Sequence, residues 1–318
     1  MGLKIRYLIF CSGLLLLMGC QKDPNVQPEE ITYGKNRFTI MQDGDEREYY
    51  VHVPAAYTGN SKVPVVFMLH GTSGNGEEFY NNSGWKEVGE AENILTVFPS
   101  SRRSCIIDDG VVKTTTKWNS QPAHNWSYCA GVNPKDDIRF FEMIIDELSS
   151  KYKIDEKRVY IVGFSNGGQM AAKCSILLSS KIAAVVESAS SFSFDTTFVP
   201  QRKLPIAFQI GNEDYGPGGS GPELPLSNLG PAIDMPGSRL NYISQTHINS
   251  FDLNPSYTIT GDTNTVVIAT FKPLSGNMAN SFNMALIKGL KHAYPNGTNH
   301  WMHAAEVHWE WLKQFSLP

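Results

Sequence analysis

The residues best suited to chemistry lie at positions 163–168, which read Gly-Phe-Ser-Asn-Gly-Gly. A serine between glycines at this spacing fits a sharp strand-to-helix turn, where other flanking side chains would collide. The apolar run 158–163 predicts the strand, and 165–178 predicts the helix. The N–H groups at the start of such a helix favour a developing negative charge. The pattern therefore predicts that Ser165 is a nucleophile, with a glycine-rich turn and a serine N-cap as the competing interpretation.

A serine nucleophile needs a general base, and histidine is the usual one. His292 follows the apolar run 284–287, and a loop just after a strand is where the base is expected. We therefore predict His292 as the base. His300 and His303, which precede the last predicted helix, are the alternatives, while His308 lies within that helix and is expected to pack or face solvent.

The base needs an acid that orients it, and the acid is expected after the predicted strand 204–211. Two carboxylates follow that strand, and we predict Asp214, with Glu213 as the alternative. A solvated acidic turn is the competing interpretation. The order Ser, acid, His along the chain, which is typical of α/β-hydrolases, favours the catalytic role.

The oxyanion formed during acyl transfer needs two N–H donors. One is predicted from Asn166, directly after the nucleophile, and the other from the loop after the first buried strand. That loop reads His-Gly-Thr-Ser-Gly at 70–74, so Thr72 is the expected donor and Gly71 lets the backbone approach the substrate. We expect His70, at the strand end, to pack and hold this loop.

The elements that must position these residues alternate along the chain. A predicted N-terminal hairpin (37–41 and 47–53) precedes five apolar runs, with helical patterns between and after them. This order predicts an α/β class: an α/β-hydrolase fold with a mostly parallel central sheet, an N-terminal antiparallel hairpin and helices on both faces. Residues 212–255, rich in Gly, Pro, Asn and Ser, are predicted to form a long excursion at the sheet edge.

The N-terminus resembles a bacterial lipoprotein signal. A basic start and a short apolar run end in Leu-Met-Gly-Cys at 17–20. We expect a signal peptide at 1–19, a flexible tether at 20–34 carrying lipid on Cys20, and a catalytic domain at 35–318. The protein would then be exported and membrane-anchored, periplasmic or at the cell surface. A plain secretory signal is the alternative.

Cysteine placement and composition limit the other possibilities. In an exported chain Cys105 and Cys129, which flank one loop-like stretch, are the natural disulfide pair, with two buried thiols as the alternative. Cys174 in a predicted helix is expected to be an inert thiol. A formal net charge of −4 gives no basic face for nucleic acid. No Cys or His spacing suggests a zinc site, so we expect no metal and no cofactor. The composition does not predict an oligomeric state.

With these residues placed, the chain resembles the secreted esterases that include polyhydroxybutyrate depolymerases, feruloyl esterases and acetylxylan esterases. The resemblance covers about residues 35–316 and is carried by His70-Gly71, Trp85, the strand 94–99, Asp136-Asp137, the turn 163–168, and Gly289, His292 and Pro295. The group often shows Gly-Gly-His-x-Trp-Pro where this chain has Leu-Lys-His-Ala-Tyr-Pro at 290–295. The resemblance implies cofactor-free hydrolysis of polymer-derived esters by Ser165, Asp214 and His292.

Aromatic residues near these positions are candidates for an acyl pocket. We predict that Trp118, Trp126 and Tyr294 contact the substrate, because a phenolic acyl group such as ferulate would stack on them. Two other functions stay open. One is a serine peptidase like the prolyl oligopeptidases, and the other is a surface lipoprotein that keeps the fold as a non-catalytic binding module.

Overall fold

Strands and helices alternate through the part of the chain that this computed structural model describes, residues 1–2, 31–108, 110–120, 126–193, 196–275 and 280–318. Tyr33–Pro318 forms one unit. The strands are β1 (Gly34–Gln42), β2 (Asp45–Val53), β3 (Val63–Leu69), β4 (Leu95–Pro99), β5 (Arg103–Asp108), β6 (Val111–Thr116), β7 (Trp126–Tyr128), β8 (Ile154–Phe164), β9 (Ala184–Ser188), β10 (Ile206–Gly211), β11 (Leu253–Asp262), β12 (Val266–Pro273) and β13 (Phe282–Ile287). The helices are α1 (Gly76–Asn82), α2 (Trp85–Glu92), α3 (Asp137–Lys151), α4 (Asn166–Leu177), α5 (Leu229–Asp234), α6 (Arg239–Phe251) and α7 (Ala304–Leu312).

Ten of these strands form one sheet in the order β1-β2-β4-β3-β8-β9-β10-β13-β12-β11. The six central strands from β4 to β13 are parallel, while β1 and β2 at one edge and β12 and β11 at the other pair antiparallel. Every residue of β3, β4 and β9 is buried, because the sheet is covered on both faces there. The predicted mostly parallel sheet with its N-terminal hairpin is confirmed.

The excursion predicted for 212–255 is only partly a loop, because it contains α5 and α6. Ser238 caps α6, its side chain accepting a hydrogen bond from the Asn241 N–H. The helix buries Ser244 and His247 among its apolar residues. These polar residues on the inner face obscure the apolar periodicity that would have predicted the helix.

The antiparallel pair β11 and β12 was also not predicted. Most residues of β11 are exposed, so its sequence lacks the apolar run of a central strand. The segment 100–135, where no strand was predicted, contains β5, β6 and β7, which form a second sheet in the order β6-β5-β7. A disulfide joins Cys105 in this sheet to Cys129, just after β7.

The predicted signal peptide, Cys20 and most of the tether fall outside the described residues, which omit 3–30. Within the described ranges, no helix combines the length and the apolar character needed to cross a membrane. Cys174 is buried on α4, and burial raises the pKa of its thiol.

Candidate active site

The nucleophile position is set by the turn between β8 and α4. Ser165 has a φ of 55° and a ψ of −121°, a conformation that costs energy for a residue with a Cβ. The glycines two residues before and two residues after Ser165 are required, because a side chain at either position would collide with the backbone. A Cβ on Gly163 would lie 1.9 Å from the Gly167 carbonyl oxygen, and one on Gly167 would lie 2.3 Å from the Leu69 carbonyl oxygen. The turn therefore holds Ser165 at the carboxyl end of the parallel strands.

The predicted base and acid meet the serine in one hydrogen-bonded row. His292 Nε2 is 2.9 Å from Ser165 Oγ, and His292 Nδ1 is 2.9 Å from Asp214 Oδ1. An ionised carboxylate only accepts, so Nδ1 carries the hydrogen and Nε2 can accept from the serine hydroxyl. Asp214 Oδ1 also accepts from the Gly216 N–H at 2.9 Å. The row has the geometry of a general-base-activated nucleophile.

The alternative residues are engaged elsewhere. His300 Nε2 is 2.9 Å from the Lys288 carbonyl oxygen, and its Nδ1 accepts from the Met302 N–H. His303 is exposed beside Glu306. His308 is buried, so of the two placements expected for it, packing is the one observed.

The predicted oxyanion segment lies against the nucleophile. A Cβ on Gly71 would approach Ser165 Cβ to 3.2 Å, so the backbone at 71–72 borders the serine directly. Asn166 is the first residue of α4, and its N–H has no acceptor within the helix. Gly71 and Asn166 therefore both border Ser165, and Thr72 follows Gly71 in the chain.

His70 holds the oxyanion segment, as expected from its place at the strand end. Its Nε2 accepts from the Ser101 N–H at 3.0 Å, so its Nδ1 carries the hydrogen and donates to the Gly71 carbonyl oxygen at 2.6 Å. Burial lowers the pKa of His70 to about 4, which keeps the ring neutral near pH 7. A neutral ring is required here, because Nε2 must accept.

A second support comes from the end of β6 and the residues after it. Trp118 Nε1 donates to the His70 carbonyl oxygen at 2.8 Å, and the Trp118 backbone N–H donates to Asn166 Oδ1 at 2.6 Å. The Ser73 N–H donates to the Thr116 carbonyl oxygen at 2.9 Å. One segment thus ties the two predicted oxyanion donors together.

The aromatic residues that were predicted to contact substrate are buried in the structure. Trp118 is fully buried and Trp126 and Tyr294 are each 5% exposed, so all three pack inside the protein rather than line an open cleft. Trp118 supports the oxyanion segment, Lys117 Nζ lies 4.8 Å from the centre of the Trp126 ring, and the Tyr294 hydroxyl accepts from Trp85 Nε1.

Two other aromatic residues lie beside the site and were missed. Phe164 is partly buried with its ring 5.1 Å from that of His292, and Phe79 is partly buried 6.1 Å from Phe164. The available sequence clue was the position of Phe164 directly before the nucleophile. Across the described ranges, no three His, Cys, Asp or Glu residues cluster as metal ligands would.

Comparisons with known proteins point to esterases. Residues 41–200, half of the chain, match the family model Esterase, described as "Putative esterase". Feruloyl esterase B of Piromyces equi is 24% identical over 282 residues, 86% of this chain and 46% of that protein. A bifunctional acetylxylan esterase/xylanase of Neocallimastix patriciarum is 27% identical over 173 residues, 54% of this chain and 22% of that protein. The chain thus spans less than half the length of either relative.

A solved structure supports the fold. The acetyl xylan esterase from Aspergillus awamori superposes with a TM-score of 0.60 at 14% identity, covering 87% of this chain and 99% of that one. At that identity the likeness concerns the fold. The predicted α/β-hydrolase fold and the predicted resemblance to this group of esterases are both confirmed.

Proposed function

The chain belongs to the Esterase family, and we propose that it is a carboxylic-ester hydrolase that works through an acyl-enzyme on Ser165. The observation that carries the proposal is His292, whose two ring nitrogens lie 2.9 Å from Ser165 Oγ and 2.9 Å from Asp214 Oδ1. A relay of this kind turns a weak hydroxyl nucleophile into one that attacks a carbonyl.

The reaction has two steps in this proposal. His292 Nε2 takes the serine proton as Ser165 Oγ attacks the ester carbonyl carbon, and Asp214 stabilises the imidazolium. The N–H groups of Thr72 and Asn166 hold the oxyanion until the alcohol leaves with the proton from His292. Water, deprotonated by His292, then attacks the acyl carbon, the bond to Ser165 Oγ breaks, and the proton passes from His292 to Ser165 as the carboxylic acid leaves.

We propose that the substrates are polymer-derived esters of feruloyl, acetylxylan or hydroxybutyrate type. Two relatives, a feruloyl esterase and an acetylxylan esterase by name, support this substrate class. A comparison of kcat/KM on methyl ferulate, acetylated xylan and hydroxybutyrate oligomers tests it. No measurable turnover of any of the three would contradict the class while leaving ester hydrolysis itself open to the next experiment.

The deciding experiment is hydrolysis of 4-nitrophenyl acetate by the wild type and by Ser165→Ala. The matched control is Ser150→Ala, an exposed serine on α3. We expect turnover and fluorophosphonate labelling in the wild type and the control, and neither in Ser165→Ala. Turnover of a prolyl anilide with none of esters would indicate a peptidase, and no labelling at all would indicate a binding module.

We also propose the predicted export and lipid anchoring, with a signal peptide at 1–19, a tether at 20–34 and the catalytic domain at 35–318. The Leu-Met-Gly-Cys sequence at 17–20 supports lipid on Cys20. Wild-type cells grown with labelled palmitate should yield a labelled, membrane-bound protein, and Cys20→Ser should yield neither. Label retained by Cys20→Ser would contradict the proposal.

A further inference from the structure

A cavity of about 370 Å³ lies between the segment after β9 and the start of α6. Its wall combines the apolar side chains of Phe192 and Ile243 with the polar residues Ser190, Ser191, Ser193, Arg239 and Tyr242. None of these side chains belongs to the Ser165–His292–Asp214 triad described above. The question is therefore which ligand an arginine and three serines near this triad would bind.

The cavity adjoins the nucleophile through two backbone links. Arg239 Nη2 donates to the carbonyl oxygen of Ala189. Ala189 directly follows Ser188, whose carbonyl oxygen accepts from the Ser165 N–H at 2.8 Å. The start of α4 is equally near, since a Cβ on Gly168 would lie 2.4 Å from the Ser190 carbonyl oxygen. The arginine is thus one residue removed from the segment that holds the nucleophile.

Arg239 brings a guanidinium to the cavity wall. The residue as a whole is exposed, yet burial around the guanidinium lowers its pKa, and the charge of Asp214 partly opposes that effect. An arginine stays protonated in proteins, and its guanidinium is more weakly hydrated than an ammonium, so the cavity wall carries a cation of this kind. Such a cation favours an anionic ligand over water.

The cavity also has unused hydrogen-bonding capacity. A guanidinium has five N–H donors, and the only acceptor it meets among the described residues is the Ala189 carbonyl oxygen. Ser191 is 2% exposed, and its hydroxyl has no hydrogen-bond partner within the described ranges. Buried polar atoms are normally paired, so an unpaired hydroxyl on a cavity wall marks a place for a ligand atom.

The charges around the cavity select the kind of anion. Arg239 is the cation on its wall, and Asp214 is close enough for its charge to be felt there. A single guanidinium fork matches a carboxylate, whereas a doubly charged phosphate would be repelled more strongly by Asp214. We propose that this cavity is a subsite for a carboxylate of the substrate, bound by Arg239 with Ser191, so that the protein prefers esters carrying a carboxylate near the scissile bond. This inference rests on the proposed ester hydrolysis.

The carboxylate can belong to the acyl part or to the alcohol part of the ester, and two substrate pairs distinguish these sources. The acyl pair is the 4-nitrophenyl monoester of adipic acid and its neutral ω-amide. The alcohol pair is acetylated glucuronic acid and acetylated glucuronamide. Within a pair the two members differ in charge and hardly in size. The readout is the ratio of kcat/KM for the acid to that for the amide.

We expect the wild type to favour the acid member of one pair by about ten- to a hundredfold, the range for a hydrogen bond to a charged group. Arg239→Gln should bring that ratio close to one, and Arg239→Lys, which keeps the charge and loses the fork, should give an intermediate ratio. Ser191→Ala should lower it severalfold. The matched control is Arg139→Gln, an exposed arginine on α3, which should keep the wild-type ratio.

Equal ratios in the wild type and Arg239→Gln for both pairs would overturn the subsite. An equal fall in kcat/KM on acid and amide in Arg239→Gln would also overturn the subsite, because it would mean that Arg239 only holds the Ala189 carbonyl. If no ester is hydrolysed at all, the proposed function fails and binding still decides the inference. Titration calorimetry then measures the affinity of Ser165→Ala for the adipate monoester and for acetylated glucuronic acid. Adding Arg239→Gln to Ser165→Ala should lower the affinity for one of these ligands at least tenfold. Unchanged affinity for both would overturn it.

Discussion

The hydroxyl of Tyr294 joins two buried groups, and its removal tests whether this residue supports the fold or contacts substrate. It accepts from Trp85 Nε1 at 2.9 Å and lies 3.0 Å from His308 Nδ1. Gln209 Nε2 donates to Ser188 Oγ, so Gln209 Oε1 is left to accept from His308 Nε2 at 2.9 Å. Nδ1 of His308 is therefore an acceptor, and the tyrosine hydroxyl donates to it.

Tyr294→Phe leaves that nitrogen and the Trp85 N–H without partners. Trp85 is fully buried and His308 is 5% exposed, so water cannot replace the hydroxyl without rearrangement. Each unpaired buried group costs about 1–3 kcal/mol, and we expect the free energy of unfolding to fall by about 2–6 kcal/mol. The matched control is Tyr33→Phe, half exposed, which should change it by less than about 0.5 kcal/mol.

Equilibrium unfolding in urea gives the free energy of unfolding of both variants. Their kcat/KM is measured on methyl ferulate and on 4-nitrophenyl acetate. A loss below about 0.5 kcal/mol for Tyr294→Phe would refute the structural reasoning. Unchanged stability together with a raised KM for the ferulate alone would restore the interpretation of Tyr294 as a substrate contact.

Three further predictions concern the reaction, pH and the disulfide. Asp214→Asn should lower kcat on 4-nitrophenyl acetate by about 10⁴, because the amide can hold His292 in the wrong tautomer; a loss below about tenfold would contradict this role. The pKa values of His70 and His308 are lowered by burial to about 4 and about 3, so the unfolded chain binds a proton on each below about pH 6.5 while the folded chain does not. The free energy of unfolding should therefore fall on acidification from pH 6.5 to 4 by about 1.4 kcal/mol per pH unit for each ring. Urea titrations across this pH range should give His308→Gln a slope of unfolding free energy against pH that is shallower by that amount. A slope equal to that of the wild type would contradict the prediction. Replacing Cys105 and Cys129 by serine should cost about 2–4 kcal/mol, measured by urea unfolding beside dithiothreitol-treated wild type, and no loss in either sample would contradict a stabilising disulfide.

The parts of the fold that the sequence predicts are those determined by residues close together in the chain. The turn around Ser165 is recognisable because its glycines, strand and helix are contiguous in the chain. His292 and Asp214 could be proposed because both follow predicted strands that end at the same edge of the sheet. By contrast α6 was missed, since the polar residues Ser244 and His247 face inward. Their burial depends on partners far along the chain, such as Glu187, whose Oε1 is 3.2 Å from His247 Nε2.

The burial of the predicted aromatic residues was missed for the same physical reason. Trp118 lies in a segment of polar composition, and nothing near it in sequence indicates that its ring is fully buried. Its indole donates to the carbonyl oxygen of His70, 48 residues away, and packs 5.3 Å from Phe141. Long-range contacts of this kind are not encoded in local periodicity.

The same contacts explain how the site keeps its geometry. Ser165, the segment at 70–74 and His292 lie on separate stretches of the chain, and buried side chains support the last two of them. His70 and Trp118 fix the oxyanion side, while Tyr294 and His308 fix the loop that carries His292. Because these supporting side chains are buried, we expect substrate selectivity from residues that stay accessible. The cavity of Arg239 meets that description, and the buried tryptophans do not.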